Sequence, residues 1–209
     1  MLRILIADDH TIVRRGLKQI LTEEFSNAVI DEVPDAEELI KKVMSEKWDV
    51  VVSDLSMPGR SGLDALQQIK SSFPDLPVLI LSIHPEEQYA LRALKSGASG
   101  YLSKDTAPDE LVKAVKKVLL GKKYISQSIA EKLADSFSTN TNKQLHETLS
   151  DREFDVMKLL ANGKSVSDIA EMLSLSVTTV STYRARVMAK MNLKSNSDLT
   201  KYAIENKLI

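Results

Sequence analysis

Residues 50–62 read Val-Val-Val-Ser-Asp-Leu-Ser-Met-Pro-Gly-Arg-Ser-Gly, and this stretch decides the fold. The apolar run over residues 50–53 predicts a strand that is covered on both faces, as strands are in a parallel sheet. Asp54 follows the run directly, and Pro58 and Gly59 then indicate a turn. The pattern therefore puts a carboxylate at the end of a buried strand.

Similar short runs surround this one within the first 120 residues, and segments of helical periodicity separate them. The predicted strands are residues 3–7, 29–33, 50–53, 78–82 and 100–102. Alternating strands and helices are typical of βαβ units with right-handed crossovers. We therefore expect an α/β domain with a doubly wound, five-stranded parallel sheet.

Two of the helical segments have clear apolar faces at helical spacing. The face predicted for the first consists of Ile12, Gly16, Leu17, Ile20 and Leu21. The face predicted for the last consists of Leu111, Val115, Val118 and Leu119. His10 precedes the first segment, and we expect it to cap that helix rather than to join a site.

The pattern changes after Gly121 to helices alone. Residues 126–137 predict a short helix anchored by Ile129 and Leu133, and the small polar residues 138–142 predict a linker. Helix-start signals follow at Ser150, Ser165, Ser176 and Ser195. We therefore expect three parts: an α/β domain over 1–120, a linking segment over 121–147 and a small all-α domain over 148–209.

The composition excludes several classes of protein. The chain has 209 residues, 43% of them hydrophobic, and no cysteine. Disulfide frameworks and thiolate chemistry are thus excluded, and a reducing compartment is favoured. The apolar runs are too short to span a membrane, and acids at positions 8 and 9 argue against a signal peptide. We expect a cytoplasmic protein with no membrane partner.

The net charge of −1 argues at first against nucleic-acid binding. The charge is segregated, however, because residues 148–209 carry nine cations and seven acids. Within them, residues 181–194 hold four cations and no acid: Arg184, Arg186, Lys190 and Lys194. An amphipathic helix with a solvated basic face would look the same. This basic stripe alone therefore does not show whether the domain binds nucleic acid.

Chemically distinctive side chains follow the predicted strands. In a doubly wound sheet, ligands bind outside the carboxyl ends of the strands. The residues at those ends are Asp8, Asp9, Asp54, Ser82 and Lys104. Crowded carboxylates need a cation, and an all-oxygen donor set favours Mg²⁺ over zinc. Asp54 can act as a nucleophile toward phosphorus, as the aspartate does in enzymes that form an aspartyl phosphate.

These residues resemble the receiver domain of a two-component response regulator. The resemblance lies in Asp8-Asp9, in Asp54 followed by Met57-Pro58-Gly59 and Gly62, in Ser82, and in residues 97–104. It implies that Asp54 accepts a phosphoryl group from a sensor histidine kinase. It also implies Mg²⁺ held by Asp9, Asp54 and the Ser56 carbonyl, with Asp8 acting through water. Ser82, Lys104 and the switch residue Tyr101 would respond to the phosphoryl group.

The C-terminal part resembles the LuxR-type DNA-binding domain. The resemblance lies in residues 149–153 and 159–165, Ile169-Ala170, Leu175-Ser176, Thr179-Val180 and Lys190-Met191. The whole chain is thus similar to the NarL/FixJ class of response regulators. The resemblance implies a third helix in the major groove of double-stranded DNA and a fourth that supports dimer contact, with homodimers favoured by phosphorylation.

The predicted recognition helix departs from the family at positions that are often basic. Ser181, Tyr183 and Ala185 stand there, so lysine is not available to read bases at those places. We predict base contacts by Thr179, Ser181, Thr182 and Arg186. We predict phosphate contacts by Arg184, Lys190 and Lys194.

Two other functions are compatible with parts of the sequence. A Mg²⁺-dependent phosphatase or phosphotransferase could use Asp54 as its nucleophile, but no residue suggests a dedicated general acid or a substrate pocket. An RNA-binding antiterminator would need an aromatic stacking platform, which the helical domain lacks. We expect a regulator, with self-phosphotransfer and slow autodephosphorylation as its only catalysis.

Overall fold

The computed structural model describes residues 1–127, 129–131 and 144–209. The chain forms two compact units, Met1–Thr139 and Asn140–Ile209. The predicted helix over 126–137 lies partly, and the predicted linker over 138–142 wholly, outside the described residues. No helix within the described ranges combines the length and the hydrophobicity that a bilayer crossing requires.

The first unit is a five-stranded parallel sheet, as predicted. The strands are β1 (Arg3–Ala7), β2 (Val29–Val33), β3 (Val50–Asp54), β4 (Val78–Ser82) and β5 (Gly100–Ser103). Their order across the sheet is β2-β1-β3-β4-β5, which is the flavodoxin-like order. Every residue of β3 and β4 is buried, because helices cover both faces of these central strands.

Five helices alternate with these strands. They are α1 (Thr11–Glu24), α2 (Ala36–Ser45), α3 (Gly62–Ser72), α4 (Glu86–Lys95) and α5 (Ala107–Leu119). The predicted face of α5 is confirmed, since Leu111, Val115 and Val118 are buried and Leu119 packs beside them.

The predicted apolar face of α1 is wrong at two positions. Ile12 is 86% exposed, and a Cβ atom built on Gly16 would meet no atom within 4 Å. Leu17 and Leu21 are buried as predicted, and Val13 packs against the same core. The helix is thus rotated so that Val13, rather than Ile12, turns toward the sheet.

The second unit is all-α within the described residues. A 3-10 helix (Leu145–Thr148) precedes α6 (Asp151–Ala161), α7 (Val166–Met172), α8 (Val177–Met191) and α9 (Asn196–Glu205). The serine start signals are confirmed, because each serine hydroxyl accepts a backbone hydrogen bond from the third residue of its helix. This capping satisfies N–H groups that would otherwise lack partners and fixes where each helix begins.

We expect the corrected face of α1 to be measurable as a difference in stability. Leu21→Ala should lower the free energy of unfolding by about 2–5 kcal/mol, because Leu21 is fully buried in the core. Ile12→Ala should change it by less than about 0.5 kcal/mol, because the side chain faces solvent. Urea denaturation of both variants tests this, and equal losses would contradict the orientation of α1.

Candidate functional site

The carboxyl ends of the strands bring charged side chains together at one edge of the sheet. Asp8 directly follows β1, Asp54 ends β3 and Lys104 directly follows β5. The Lys104 ammonium lies 2.7 Å from Asp8 Oδ2 and 2.9 Å from Asp54 Oδ2, so it bridges the two carboxylates. Asp8 and Asp54 are 1% and 2% exposed, whereas 27% of the Asp9 side chain is exposed on the open side.

A close approach of α3 shapes the backbone after β3. A Cβ atom built on Gly62 would lie 1.9 Å from the Asp54 carbonyl oxygen, so only glycine fits there. The Gly62 N–H donates to the Leu55 carbonyl at 2.9 Å. Ser61 and Asp64 form a capping box that begins α3 at this point. This packing therefore restricts the movement of the segment that carries the Asp54 carboxylate.

The buried charges shift the pKa values of the site. Burial raises the pKa of Asp54 to about 6, an effect that the Lys104 ammonium offsets only in part and that Asp8 increases. Burial also acts to lower the pKa of Lys104, but hydrogen bonds with Asp8 and Asp54 outweigh it and leave that pKa raised. Lys104 thus keeps its charge. At neutral pH the negative charge of the carboxylates at this edge of the sheet exceeds the positive charge beside them.

His10 begins α1 as its N-cap residue, as predicted, but its side chain also belongs to this cluster, which the prediction did not include. The side chain makes no capping hydrogen bond. Its Nδ1 lies 2.7 Å from Asp9 Oδ1 and 3.3 Å from Asp8 Oδ1. Atoms of Asp8, Asp9, His10 and Asp54 all lie within 4.8 Å of one another and could hold a metal ion. The adjacency of His10 to two acids was the sequence signal for this.

Ser82 connects the end of β4 to the loop that follows it. Its Oγ accepts a hydrogen bond from the His84 N–H at 2.9 Å. Tyr101 is buried, and its hydroxyl donates to the His84 carbonyl at 3.0 Å. The His84 Nε2 in turn lies 3.0 Å from Ser56 Oγ. The sequence singled out Ser56, Ser82 and Tyr101, but it did not reveal that His84 links the three.

The second unit presents α8 as a helix with one buried face. The turn after α7 passes through Ser174, whose φ of +52° reverses the chain within a few residues. Ser176 then begins α8, and its Oγ accepts from the Thr179 N–H at 3.0 Å. The buried face consists of Val180, Val187 and Met191. This arrangement of α7 and α8 is the helix-turn-helix that the spacing predicts.

The side chains predicted to contact DNA differ in their surroundings. The exposed ones are Ser181, Thr182, Arg186, Lys190 and Lys194, whereas Thr179 and Arg184 are partly covered. Two of the predicted phosphate contacts have partners inside the unit, which sequence reasoning missed. Arg184 donates to Asn196 Oδ1 at 3.0 and 3.2 Å, and Lys190 Nζ lies 2.6 Å from a carboxylate oxygen of the buried Glu153. Within the described residues, neither Arg186 nor Lys194 closes a salt bridge.

Two family models match this chain. The family described as response regulator receiver domain matches residues 4–116. The family described as bacterial regulatory proteins, luxR family, matches residues 147–203. Both matches agree with the resemblance given by the site residues and by the helix-turn-helix.

The chain is also similar to full-length proteins. It is 39% identical over 215 residues to the oxygen regulatory protein NreC of Staphylococcus carnosus, covering 100% of this chain and 99% of the relative. The NreC of Staphylococcus epidermidis is 38% identical, with the same coverage.

Solved structures with the same architecture contain DNA. The two-component response regulator RcsB in complex with DNA is 29% identical, with a TM-score of 0.58 and 96% of each chain covered. RcsB of Salmonella enterica serovar Typhimurium, bound to promoter rprA in the presence of phosphomimetic BeF3-, is 28% identical, with a TM-score of 0.62, 97% of this chain covered and 98% of that one. With the family models, these similarities establish that the chain belongs to the response regulators that join a receiver domain to a LuxR-type DNA-binding domain.

Proposed function

We propose that this response regulator controls transcription through a phosphoryl group that Asp54 accepts from a sensor histidine kinase. The observation that carries the proposal is the bridge from Lys104 to the buried carboxylates of Asp8 and Asp54. A nucleophilic carboxylate beside a fixed ammonium and an acidic pair provides the groups that phosphoryl transfer to aspartate requires.

The transfer itself needs little of the protein beyond placement of these groups. A carboxylate oxygen of Asp54 attacks the phosphorus of a phosphohistidine while the P–N bond breaks and the nitrogen keeps the electron pair. The Lys104 ammonium, 2.9 Å from Asp54 Oδ2, neutralises charge on the phosphoryl oxygens. Ser82 Oγ accepts a hydrogen bond from the His84 N–H, so its own proton can be donated to a phosphoryl oxygen.

The donor set of the site fits Mg²⁺. Asp9 Oδ1 is a buried atom that accepts no well-formed hydrogen bond, although the His10 ring lies close to it. Such an oxygen is suited to a hard cation, and Mg²⁺ prefers oxygen ligands. Asp9, Asp54 and the Ser56 carbonyl would hold the ion, with Asp8 acting through water. When bound, Mg²⁺ supplies positive charge to the phosphoryl oxygens.

The response to phosphorylation would begin at Ser82. A phosphoryl group on Asp54 draws the Ser82 hydroxyl toward it. Because Ser82 Oγ holds the His84 N–H and Tyr101 holds the His84 carbonyl, a movement of Ser82 displaces this loop and Tyr101 together. The switch thus consists of a local change in charge that acts on a packed loop.

The second unit would supply the output. In this proposal α8 enters the major groove of double-stranded DNA, with Thr179, Ser181, Thr182 and Arg186 near the bases. Arg184, Lys190 and Lys194 would contact phosphates. The receiver occupies residues 1–120, the linking segment 121–147 and the DNA-binding domain 148–209, and phosphorylation favours a homodimer on a two-fold DNA site.

We expect Asp54→Asn to stabilise the protein in the absence of divalent metal at pH 8. The raised pKa means that the charged carboxylate costs stability above about pH 6, and this cost disappears as the pH falls toward 4. At 1.36 kcal/mol per pKa unit, the gain should be on the order of 2–3 kcal/mol. Urea denaturation with a metal chelator measures it.

The matched control is Asp75→Asn, because Asp75 is exposed at the opposite end of β4. This variant should leave stability unchanged. Millimolar Mg²⁺ should stabilise the wild type and not Asp54→Asn. A stability gain that stays constant from pH 8 to pH 4 would contradict the proposed electrostatic origin.

We expect acetyl phosphate with Mg²⁺ to convert the protein to dimers and to tighten its binding to DNA. One phosphoryl group should be retained per chain, and sustained hydrolysis of a phosphate ester should not occur. Sedimentation velocity and mass measurement of the intact protein follow both steps. If Asp54→Ala still responded with tighter DNA binding, the phosphoacceptor assignment would be wrong.

We expect Arg186 and Lys194 to contribute to DNA binding in different ways. Lys194→Ala should weaken binding to the operator and to unrelated DNA alike, and should reduce the slope of log K against log[salt] by about 0.9. Arg186→Ala should weaken binding to the operator more than binding to unrelated DNA, because a base contact is lost. The operator sequence is identified by selecting the DNA fragments that the protein binds. Lys41→Ala serves as the control, because Lys41 is exposed on α2. Identical profiles for the two variants would reject this division of roles.

A further inference from the structure

We propose that His10 is a nitrogen ligand of the metal site and makes this receiver bind transition-metal ions of the Co²⁺ type more tightly than its carboxylates alone would. The inference rests on the proposed metal site between β1 and β3. It adds a ligand, and with it a preference among metals, that the receiver resemblance does not assign.

The spacing of the ligand atoms supports this role. His10 Nδ1 lies 2.7 Å from Asp9 Oδ1 and 3.3 Å from Asp8 Oδ1. When an octahedral ion lies about 2.1 Å from each ligand atom, neighbouring ligand atoms are about 3.0 Å apart. The two distances from His10 Nδ1 lie on either side of this value. The imidazole nitrogen and the Asp9 oxygen therefore lie close to the separation that a shared ion requires.

The backbone of His10 directs its ring toward the acids. The His10 N–H donates to Asp8 Oδ1 at 2.8 Å, which anchors the residue directly above the Asp8 carboxylate. Asp9 Oδ1, although 2.7 Å from the His10 ring nitrogen, is a buried atom that receives no well-formed hydrogen bond. The ring nitrogen hydrogen-bonds to Asp8 Oδ1 at 3.3 Å, but its shorter contact with Asp9 Oδ1 lacks hydrogen-bond geometry. The His10 side chain is 65% exposed, so an ion in solution can reach its nitrogen.

Imidazole changes which ions the site prefers. Mg²⁺ takes oxygen ligands, whereas Co²⁺, Ni²⁺ and Zn²⁺ also bind imidazole well and stand higher in the general order of affinity. The chain has no cysteine and only three histidines. His84 turns its Nε2 to Ser56, and His146 contacts Tyr202 in the second unit. His10 is therefore the histidine whose ring nitrogen lies against the acids.

The test uses the tag-free full-length protein and two variants, His10→Asn and the matched control His146→Asn, because His146 lies in the second unit. Asparagine offers an amide oxygen in place of the imidazole nitrogen, so it preserves binding of hard ions. Calorimetric titration with Co²⁺ and, separately, with Mg²⁺ gives the ratio of the two affinities. Proton NMR of the Co²⁺ complex reports a hyperfine-shifted, exchangeable ring N–H signal when a histidine is a ligand.

We expect His10→Asn to lower the Co²⁺ affinity at least about tenfold, since even loss of an outer-shell partner costs that much, and to abolish the ring N–H signal. Its Mg²⁺ affinity should stay within about twofold of the wild type. His146→Asn should keep both the Co²⁺ affinity and the signal. An unchanged Co²⁺ to Mg²⁺ ratio in His10→Asn, or a signal that survives there, would overturn the role of His10. Loss of Mg²⁺ binding in the wild type would instead count against the proposed function.

Discussion

The structure of the receiver depends on one electrostatic constraint, the burial of two carboxylates beside a single ammonium. Lys104 reaches Asp8 and Asp54 at 2.7 and 2.9 Å, but its one charge cannot neutralise both acids and Asp9 as well. The raised pKa of Asp54 records the remaining imbalance. The site is thus held in an unfavourable state of charge. In the proposed function, a bound cation would relieve it.

The sheet keeps this strained cluster in place because its strands are parallel and in close register. Asp54 lies opposite Leu81, one residue before Ser82, so the carboxylate and the hydroxyl come from adjacent strand ends. Gly62 allows α3 to pack directly on the Asp54 carbonyl, which no larger residue would permit. Favourable packing elsewhere in the core therefore offsets the free-energy cost of burying the charges of the site.

The sequence predicted what depends on local pattern and on strand order, and it failed where orientation or distant contacts decide. The strands and helix caps were predictable, because apolar runs and serine start signals are local. The face of α1 was not, because Ile12 and Val13 are both apolar and only packing selects between them. The ring of His10 was misjudged because its contacts with Asp8 and Asp9 depend on the orientation of the side chain. The pairing of Lys190 with Glu153 joins residues 37 positions apart, which no local signal marks.

That last pairing bears on how the second unit works. Glu153 is buried at the start of α6, and burial would raise its pKa, yet the Lys190 ammonium and the Ser150 N–H outweigh burial and lower it. Lys190 thus fastens α8 to α6 before any DNA is present, and Arg184 similarly ties α8 to Asn196. Lys190 and Arg184, two of the four cations of the basic stripe, therefore orient α8 and also contribute positive charge. If α8 is the recognition helix, as proposed, a helix fixed in this way would lose less entropy on binding to DNA. In the proposed homodimer, two such units would gain affinity together, since the second binding event becomes intramolecular.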